Sequence, residues 1–378
     1  MKRKRFSLRS LIWSSVQVAI GALLLFQVAY WRLGGAFPET AAENGDVNAT
    51  IGARADRTLP ATYTPFPSST PLAGVANLLG TPAATSTLPP AAVIPIADLP
   101  PTITATPFKP PDYLLQYVEV RYVEQPPVAV DCDGKGFVFT SRFPSKVGGA
   151  WPYHAYLPPC YGHDGRVYPV LYLLHGSGHT DAQWVELGLP QHMNQGLMEK
   201  RYPPFIVIMP AGGTLNDTTS GGTRSVEGVV IENLIPWVDA NFCTWNSREG
   251  RSIGGLSRGG YWALMMAFRH PELFGAVAGH SSQLRLDVDP PQYNPLATYS
   301  SADLSNMRIW MDWGEHDFLR PGQKRLHAAL MNAGIPHTAQ VFPGGHANYY
   351  WYAHVREYLD WHAESWPLER DVYPVCER

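Results

Sequence analysis

The residues Ser252–Phe268, SIGGLSRGGYWALMMAF, decide how this chain is read. Arg251 to Ile253 reads as a strand and Gly260 to Arg269 as a helix, and the junction between them holds Gly255-Leu256-Ser257-Arg258-Gly259, a G-x-S-x-G sequence. Those five residues alone recur by chance, because Gly and Ser are common. At a strand-to-helix junction the pattern acquires a mechanism: the glycines let the backbone take a sharp, strained turn that lifts the serine hydroxyl clear of a sheet, beside the N-terminus of the next helix. Ser257 is therefore the candidate nucleophile, weighed against the plainer reading of a serine in a glycine-rich turn.

Outward from that junction, strand-like runs alternate with helical ones from Asp112 to the end of the chain. Gly136 to Phe143 and Ala150 to Leu157 read as two early strands joined by a Gly-containing loop. Tyr168 to Leu174, YPVLYLL, and Phe205 to Met209, FIVIM, are unbroken apolar runs, which is how a parallel strand covered on both faces is written. Later strands are expected at Ala276 to Ala278, Met307 to Met311 and Ala339 to Phe342, with a further helix over Val229 to Ala240. Strand then helix, repeated, predicts an α/β domain over 112–378 with a mostly parallel central sheet flanked by helices.

A serine hydroxyl is a weak nucleophile until a base takes its proton. After a nucleophile on such a turn, the acid and then the histidine follow in chain order. Of the 13 histidines, His346 lies in QVFPGGHANYYW on a Pro-Gly-Gly loop that leaves the last expected strand, where catalytic loops gather in open parallel sheets. His337 precedes that strand, and His354 and His362 fall in a final aromatic helix, positions that suit packing. The acid belongs after the penultimate strand, in RIWMDWGEHDFLR. Asp317 is the choice there, because Trp313-Gly314 turns the chain and leaves Asp317 far enough along the loop to reach His346 and hold its tautomer. Asp312 is the reserve acid, and His280 is a candidate substrate contact. An oxyanion needs two donors; the N–H of Arg258 supplies one, and the loop His175-Gly176-Ser177-Gly178 supplies the other through the N–H of Ser177. His175, His179 and Asp181 do not read as a metal site, since no helix carries them and no Glu follows the first histidine.

The chain has 378 residues, 45% hydrophobic, 12% aromatic and 16% charged, a balance that excludes a coiled coil or a wholly disordered chain. Its charge is uneven. Lys2, Arg3, Lys4, Arg5, Arg9 and Arg32 stand among the first 32 residues with no acid, leaving 23 of the 29 bases against all 32 acids, which offers no basic face for nucleic acid. Residues 1–10 read as a basic cytoplasmic segment. Leu11 to Trp31 is mostly apolar and matches the ~20 residues of a spanning helix, a transmembrane signal-anchor that places the remainder of the chain on the extracytoplasmic side. The competing reading is a cleaved signal peptide with Gly34 and Ala36 at the cut, which makes the protein secreted. Residues 32–111 read as a Pro/Thr/Ala-rich linker without tertiary structure, whose stretch Thr58 to Pro111 holds 13 prolines and, extended, reaches on the order of 150 Å. The four cysteines suit an oxidising compartment. Cys132 lies just before the first strand of the expected hairpin and Cys160 just after the second, so the two come opposite each other; by elimination Cys243 pairs with Cys376. Four free buried thiols are the alternative.

Taken in order, YLPPCYG, YPVLYLLHGSG, ENLIPWVD, RSIGGLSRGGYWAL, HPELFGAVAGHSS, DWGEHDF and GGHANYYW resemble the esterase D-like branch of the α/β-hydrolases, which includes S-formylglutathione hydrolases, feruloyl esterase domains, enterochelin esterases and mycolyltransferases. The likeness runs from about Tyr153 to Trp361. It implies an α/β-hydrolase fold, serine-dependent acyl transfer without cofactor or metal, and Ser257, Asp317 and His346 as the triad. The residue after the nucleophile is often Met in that branch and is Arg258 here, whose side chain either adds charge near the site or points outward. Trp313, Tyr349, Tyr350 and Trp351 are expected in packing before any acyl pocket. The resulting expectation is an exported, membrane-tethered serine esterase acting on a small or polymer-linked ester. The alternatives are an envelope acyltransferase with the same triad, and a noncatalytic binding module on the same scaffold.

Overall fold

The unbroken apolar run Val170–Leu174 forms β4, and its side chains alternate strictly between two cores. Val170, Tyr172 and Leu174 enter one hydrophobic cluster, while Leu171 and Leu173 enter the other. A strand covered on both faces shows no polar alternation in its sequence, and the period of two survives only in which core each residue enters.

The computed structural model describes residues 118–285 and 288–377. Nine strands form one sheet: β1 Arg121–Tyr122, β2 Phe137–Ser145, β3 Gly149–Leu157, β4, β5 Ile206–Pro210, β6 Arg251–Leu256, β7 Ala276–His280, β8 Arg308–Gly314 and β9 Thr338–Phe342. Their spatial order is β1-β2-β3-β5-β4-β6-β7-β8-β9. β3 runs antiparallel to both β2 and β5, and every other neighbouring pair is parallel. From β4 the chain runs one way to β5 and then crosses back to β6 on the other side of β4, so the strand order reverses beside β4 and a crevice opens beyond the strands' carboxyl ends. Both the 175–178 loop and Ser257 lie at that reversal.

The helix Arg258–Arg269, whose buried residues run from Arg258 to Phe268, covers one face together with the segment 226–241. The helices Leu189–Met198 and Asn348–Ala363 cover the other. The segment 226–241 departs from the single regular helix expected there. It runs as an α turn, Val226–Val229, a π turn, Val230–Leu234, and an α segment, Ile235–Asn241. Pro236 has no N–H to donate and its ring crowds the preceding turn, and the widened π turn sits at that point. β1, two residues at the sheet edge, was not expected from sequence.

Two disulfides join Cys132 to Cys160 and Cys243 to Cys376. The second holds the C-terminal segment, where Cys376 N–H donates to the Gly165 carbonyl at 2.8 Å and Arg370 pairs with Asp164 at 2.7 Å. The anchor at 11–31 and the linker at 32–111 lie outside the described residues. Among the described residues no helix is long and apolar enough to cross a membrane.

Candidate active site

Ser257 takes the N-cap position of the helix Arg258–Arg269 with φ 54° and ψ −118°, a positive-φ conformation that a non-glycine residue rarely adopts. Two close approaches let the turn form. A Cβ on Gly259 would lie 2.2 Å from the Leu174 carbonyl oxygen, and one on Gly255 would lie 2.4 Å from the backbone of Gly259. Ser257 is held by its N–H, which donates to the His280 carbonyl at 2.8 Å, and by its own carbonyl, which accepts from Gln283 N–H at 2.9 Å.

The loops after β8 and β9 are laced together: Glu315 N–H donates to the Phe342 carbonyl and His316 N–H to the Gly344 carbonyl, each at 2.9 Å. That lacing brings Asp317 beneath His346. His346 Nδ1 lies 3.0 and 3.2 Å from the two Asp317 oxygens, and its Nε2 lies 2.9 Å from Ser257 Oγ. A carboxylate facing Nδ1 fixes the proton there, so Nε2 presents its lone pair to the hydroxyl. Asp317 is 1% exposed. Burial alone would raise its carboxyl, but the hydrogen bonds from His346 and the Leu319 N–H outweigh this and hold it below the usual carboxylate range. The acid is thus a fixed negative charge under the imidazole. The structure brings Ser257, His346 and Asp317 together in one hydrogen-bonded chain.

Asp312 is not part of that arrangement. Its Oδ1 lies 2.5 Å from His280 Nδ1, and its Oδ2 accepts from the Tyr350 hydroxyl at 2.7 Å and the Tyr358 hydroxyl at 3.1 Å. The candidate role of His280 as a substrate contact is likewise corrected: the residue has no exposure, and its ring stacks on Tyr358 with centroids 3.5 Å apart. The cause is strand alternation. On β7 and β8, Ala278 and Trp310 enter the core under the helix Asn348–Ala363, and two positions onward His280 and Asp312 point the same way. Trp313, Tyr350 and Trp351 are buried in packing as expected, whereas Tyr349 is exposed.

The oxyanion candidates lie where two strands meet. A Cβ on Gly176 would lie 3.3 Å from Ser257 Cβ, so the Gly176–Ser177 peptide passes directly beside Ser257. Neither the Ser177 N–H nor the Arg258 N–H finds a protein acceptor among the described residues. The Arg258 side chain does neither of the two things expected of it. It is buried, paired with the fully buried Asp289 at 3.1 Å, and lies over the Tyr261 and Trp262 rings at 4.1 and 5.1 Å. Its charge is neutralised before it reaches the pocket.

Three residues escaped the sequence reading. Gln183 accepts the Gly176 N–H at 2.9 Å and donates to Asn348, tying the 175–178 loop to the helix after His346. Asn216 donates to the Gly176 carbonyl. Phe318 stands 72% exposed with its ring 4.7 Å from His346, an apolar rim beside that imidazole. All three sit on segments at or near strand carboxyl ends, the one signal that points to them. Among the described residues no group of His, Cys, Asp and Glu is arranged to hold a metal ion.

The Esterase family model ("Putative esterase") matches residues 145–361, a span that contains Ser257, Asp317 and His346. An esterase of Mycobacterium tuberculosis, Esterase Rv1288, is 31% identical over 240 residues, 50% of this chain and 51% of its own length, so the chain spans about half the length of that relative. An endo-1,4-beta-xylanase/feruloyl esterase of Xylanibacter ruminicola is 37% identical over 132 residues, 32% of this chain and 18% of that protein. Among solved structures, a ferulic acid esterase aligns with TM-score 0.55 at 23% identity, covering 61% of this chain and 100% of its own. An S-formylglutathione hydrolase of Staphylococcus aureus aligns with TM-score 0.54 at 18% identity, covering 60% and 99%. These likenesses establish the α/β-hydrolase fold.

Proposed function

We propose that this chain, which belongs to the Esterase family, cleaves a carboxylic ester through a covalent acyl-serine intermediate. The observation that carries the reading is the 2.9 Å approach of His346 Nε2 to Ser257 Oγ, with Asp317 fixed behind the imidazole. His346 takes the hydroxyl proton as Oγ attacks the ester carbonyl, and the carbonyl oxygen becomes an oxyanion. The N–H groups of Ser177 and Arg258 receive that charge, and Asp317 stabilises the imidazolium. Collapse of the tetrahedral adduct expels the alcohol, which leaves with the proton from Nε2. Water then repeats the sequence: His346 deprotonates it, it attacks the acyl carbon, and the acid departs as Ser257 regains its proton.

Ser257→Ala is expected to lower kcat by on the order of 10⁴ to 10⁶ without changing the unfolding midpoint. A fluorophosphonate probe is expected to label the wild type at Ser257 and leave the variant unlabelled. Ester turnover of the variant at the wild-type rate would reject the nucleophile. A chain that neither turns over a panel of acetyl, longer acyl and feruloyl esters nor takes the probe would be a binding module.

We further propose that the domain works outside the cytoplasm, held by residues 11–31 and spaced by residues 32–111. The apolar length, the basic flank and the two disulfides support this reading. Protease added to intact cells should remove the domain while leaving a cytosolic marker whole; protection equal to the marker's would refute it.

A further inference from the structure

The side chain of the residue after the nucleophile is tied, through one asparagine, to the opposite half of the oxyanion hole. The Gly176 carbonyl and the Ser177 N–H belong to one planar trans peptide, so they point in opposite directions, and whatever fixes the carbonyl aims the N–H. Three donors hold that carbonyl: His175 Nδ1 at 2.8 Å, Asn216 Nδ2 at 3.3 Å and His179 N–H at 3.3 Å. The histidine is pinned in turn. Its Nε2 accepts the Gly212 N–H at 2.8 Å, which leaves the proton on Nδ1, and burial lowers its pKa so that it stays neutral.

Asn216 is 2% exposed, and its backbone carbonyl accepts from Arg258 Nε at 3.0 Å and from Trp262 Nε1 at 3.1 Å. The same guanidinium donates to the Thr219 carbonyl and to Asp289. Arg258 therefore holds the segment 216–219 with two of its donors and is itself clamped by a buried carboxylate.

We propose that Asn216 and the Arg258 side chain are positioning residues for the oxyanion hole, keeping the Ser177 donor in register with the Arg258 donor. This rests on the acyl-serine reading of the site. The guanidinium touches no reacting atom; it acts through Asn216, Asn216 acts through the Gly176 carbonyl, and the effect arrives at the Ser177 N–H. The arrangement supplies a role for an arginine at this position that neither a charge in the pocket nor an outward-pointing side chain provides.

The test compares wild type, Asn216→Ala, the isosteric Asn216→Asp and Arg258→Lys. Asn216→Asp turns the donor into an acceptor facing a carbonyl. Arg258→Lys keeps the charge that Asp289 needs but loses the planar fork. The readouts are kcat, KM, the unfolding midpoint, and affinity for a trifluoromethyl ketone, whose hemiketal oxygen occupies the oxyanion hole, beside affinity for the product carboxylate. Removing an oxyanion donor outright costs on the order of 10² to 10³ in kcat, so misaiming one is expected to cost about 10- to 100-fold. Both Asn216 variants should show that loss with KM changed less than about threefold, ketone affinity falling in proportion, carboxylate affinity held, and Arg258→Lys in between. Wild-type kcat in Asn216→Asp would overturn the proposal. So would a loss of kcat, KM and midpoint together with the ketone and carboxylate weakened alike, which is what a merely structural asparagine predicts. If Asn216 variants do not fold, Arg258→Lys decides by the same ratio. A wild type without ester turnover or probe labelling fails the parent reading, an outcome visible before any variant is made.

Discussion

Asp312 and Asp317 are both buried carboxylates, five positions apart, and each sits against a histidine Nδ1; what separates them is what lies on the far side of that histidine. Behind His346 is the hydroxyl of Ser257, whereas behind His280 is the core, where its Nε2 finds no partner. The two should therefore fail differently. Asp317→Asn is expected to lower kcat by on the order of 10⁴ with little effect on the fold, because an amide favours the wrong tautomer of His346. Asp312→Ala strips a fully buried histidine of its partner and leaves two tyrosine hydroxyls unsatisfied, and is expected to cost about 3 to 5 kcal/mol by denaturant unfolding. Its folded fraction should still turn over ester, and equal catalytic loss in both variants would show the distinction to be false. Chain order and loop position were enough to bring Asp317 and His346 together on paper. The orientation of His280 was not, because β7 is apolar on both faces and its sequence carries no mark of which core each side chain enters. Asn216 was illegible for a related reason: a short polar residue in a Gly- and Thr-rich loop has no spacing signature, and its meaning comes only from the carbonyl it reaches.

At the scale of elements, the segment 226–241 carries a second charged device away from the relay. Glu227, 4% exposed in the first turn, accepts from Arg269 Nε and His270 Nε2 at 2.8 Å each and from the Gly222 N–H at 2.5 Å, so it joins that turn to the end of the helix that begins after Ser257. Burial would raise its carboxyl, but His270, Arg269 and the Gly222 N–H together bring it from 4.5 down to about 2. A folded-state value below the unfolded one gives stability that is complete above the unfolded value and drains away as pH falls through the folded one. The ion cluster should thus contribute on the order of 3 kcal/mol at neutral pH, lost between about pH 4.5 and pH 2. Glu227→Gln is expected to lose that increment at pH 7 and to unfold with a flatter acid dependence over that window. A variant whose stability falls as steeply with acid as the wild type would place the effect elsewhere. The helix expected at Val229 to Ala240 falls within this segment. The π turn inside it was not legible, because Pro236 announces an obstruction in the hydrogen-bond ladder without saying whether the chain answers by ending, kinking or widening.

Over the whole molecule, the proposal that the domain works outside the cytoplasm rests on two features: an apolar run near the start of the sequence, and four cysteines that the fold joins in two pairs. The cysteine pairing was readable because a two-strand hairpin brings its flanks together, which left one partner each for Cys243 and Cys376. Once paired, each bond's contribution to the unfolded chain's entropy follows from the length of chain it closes. Cys132–Cys160 spans 28 positions and Cys243–Cys376 spans 133. Loop-closure entropy grows with the logarithm of that length, which gives about 3.6 kcal/mol for the shorter loop and about 5 kcal/mol for the longer. The longer one also closes around β6, β7, β8, β9, Ser257, Asp317 and His346, so an unfolded chain that keeps it holds the three proposed catalytic residues within one loop. Replacing Cys243 and Cys376 with Ser is therefore expected to cost more, by about 1 kcal/mol, than replacing Cys132 and Cys160, and to slow recovery of ester turnover after dilution from denaturant. Unfolding curves of the two double variants in guanidinium, with activity followed during refolding, make the comparison. A shorter-loop variant that is the less stable of the two would mean that native packing around Cys132–Cys160, and not closure of the chain, governs what these bonds contribute.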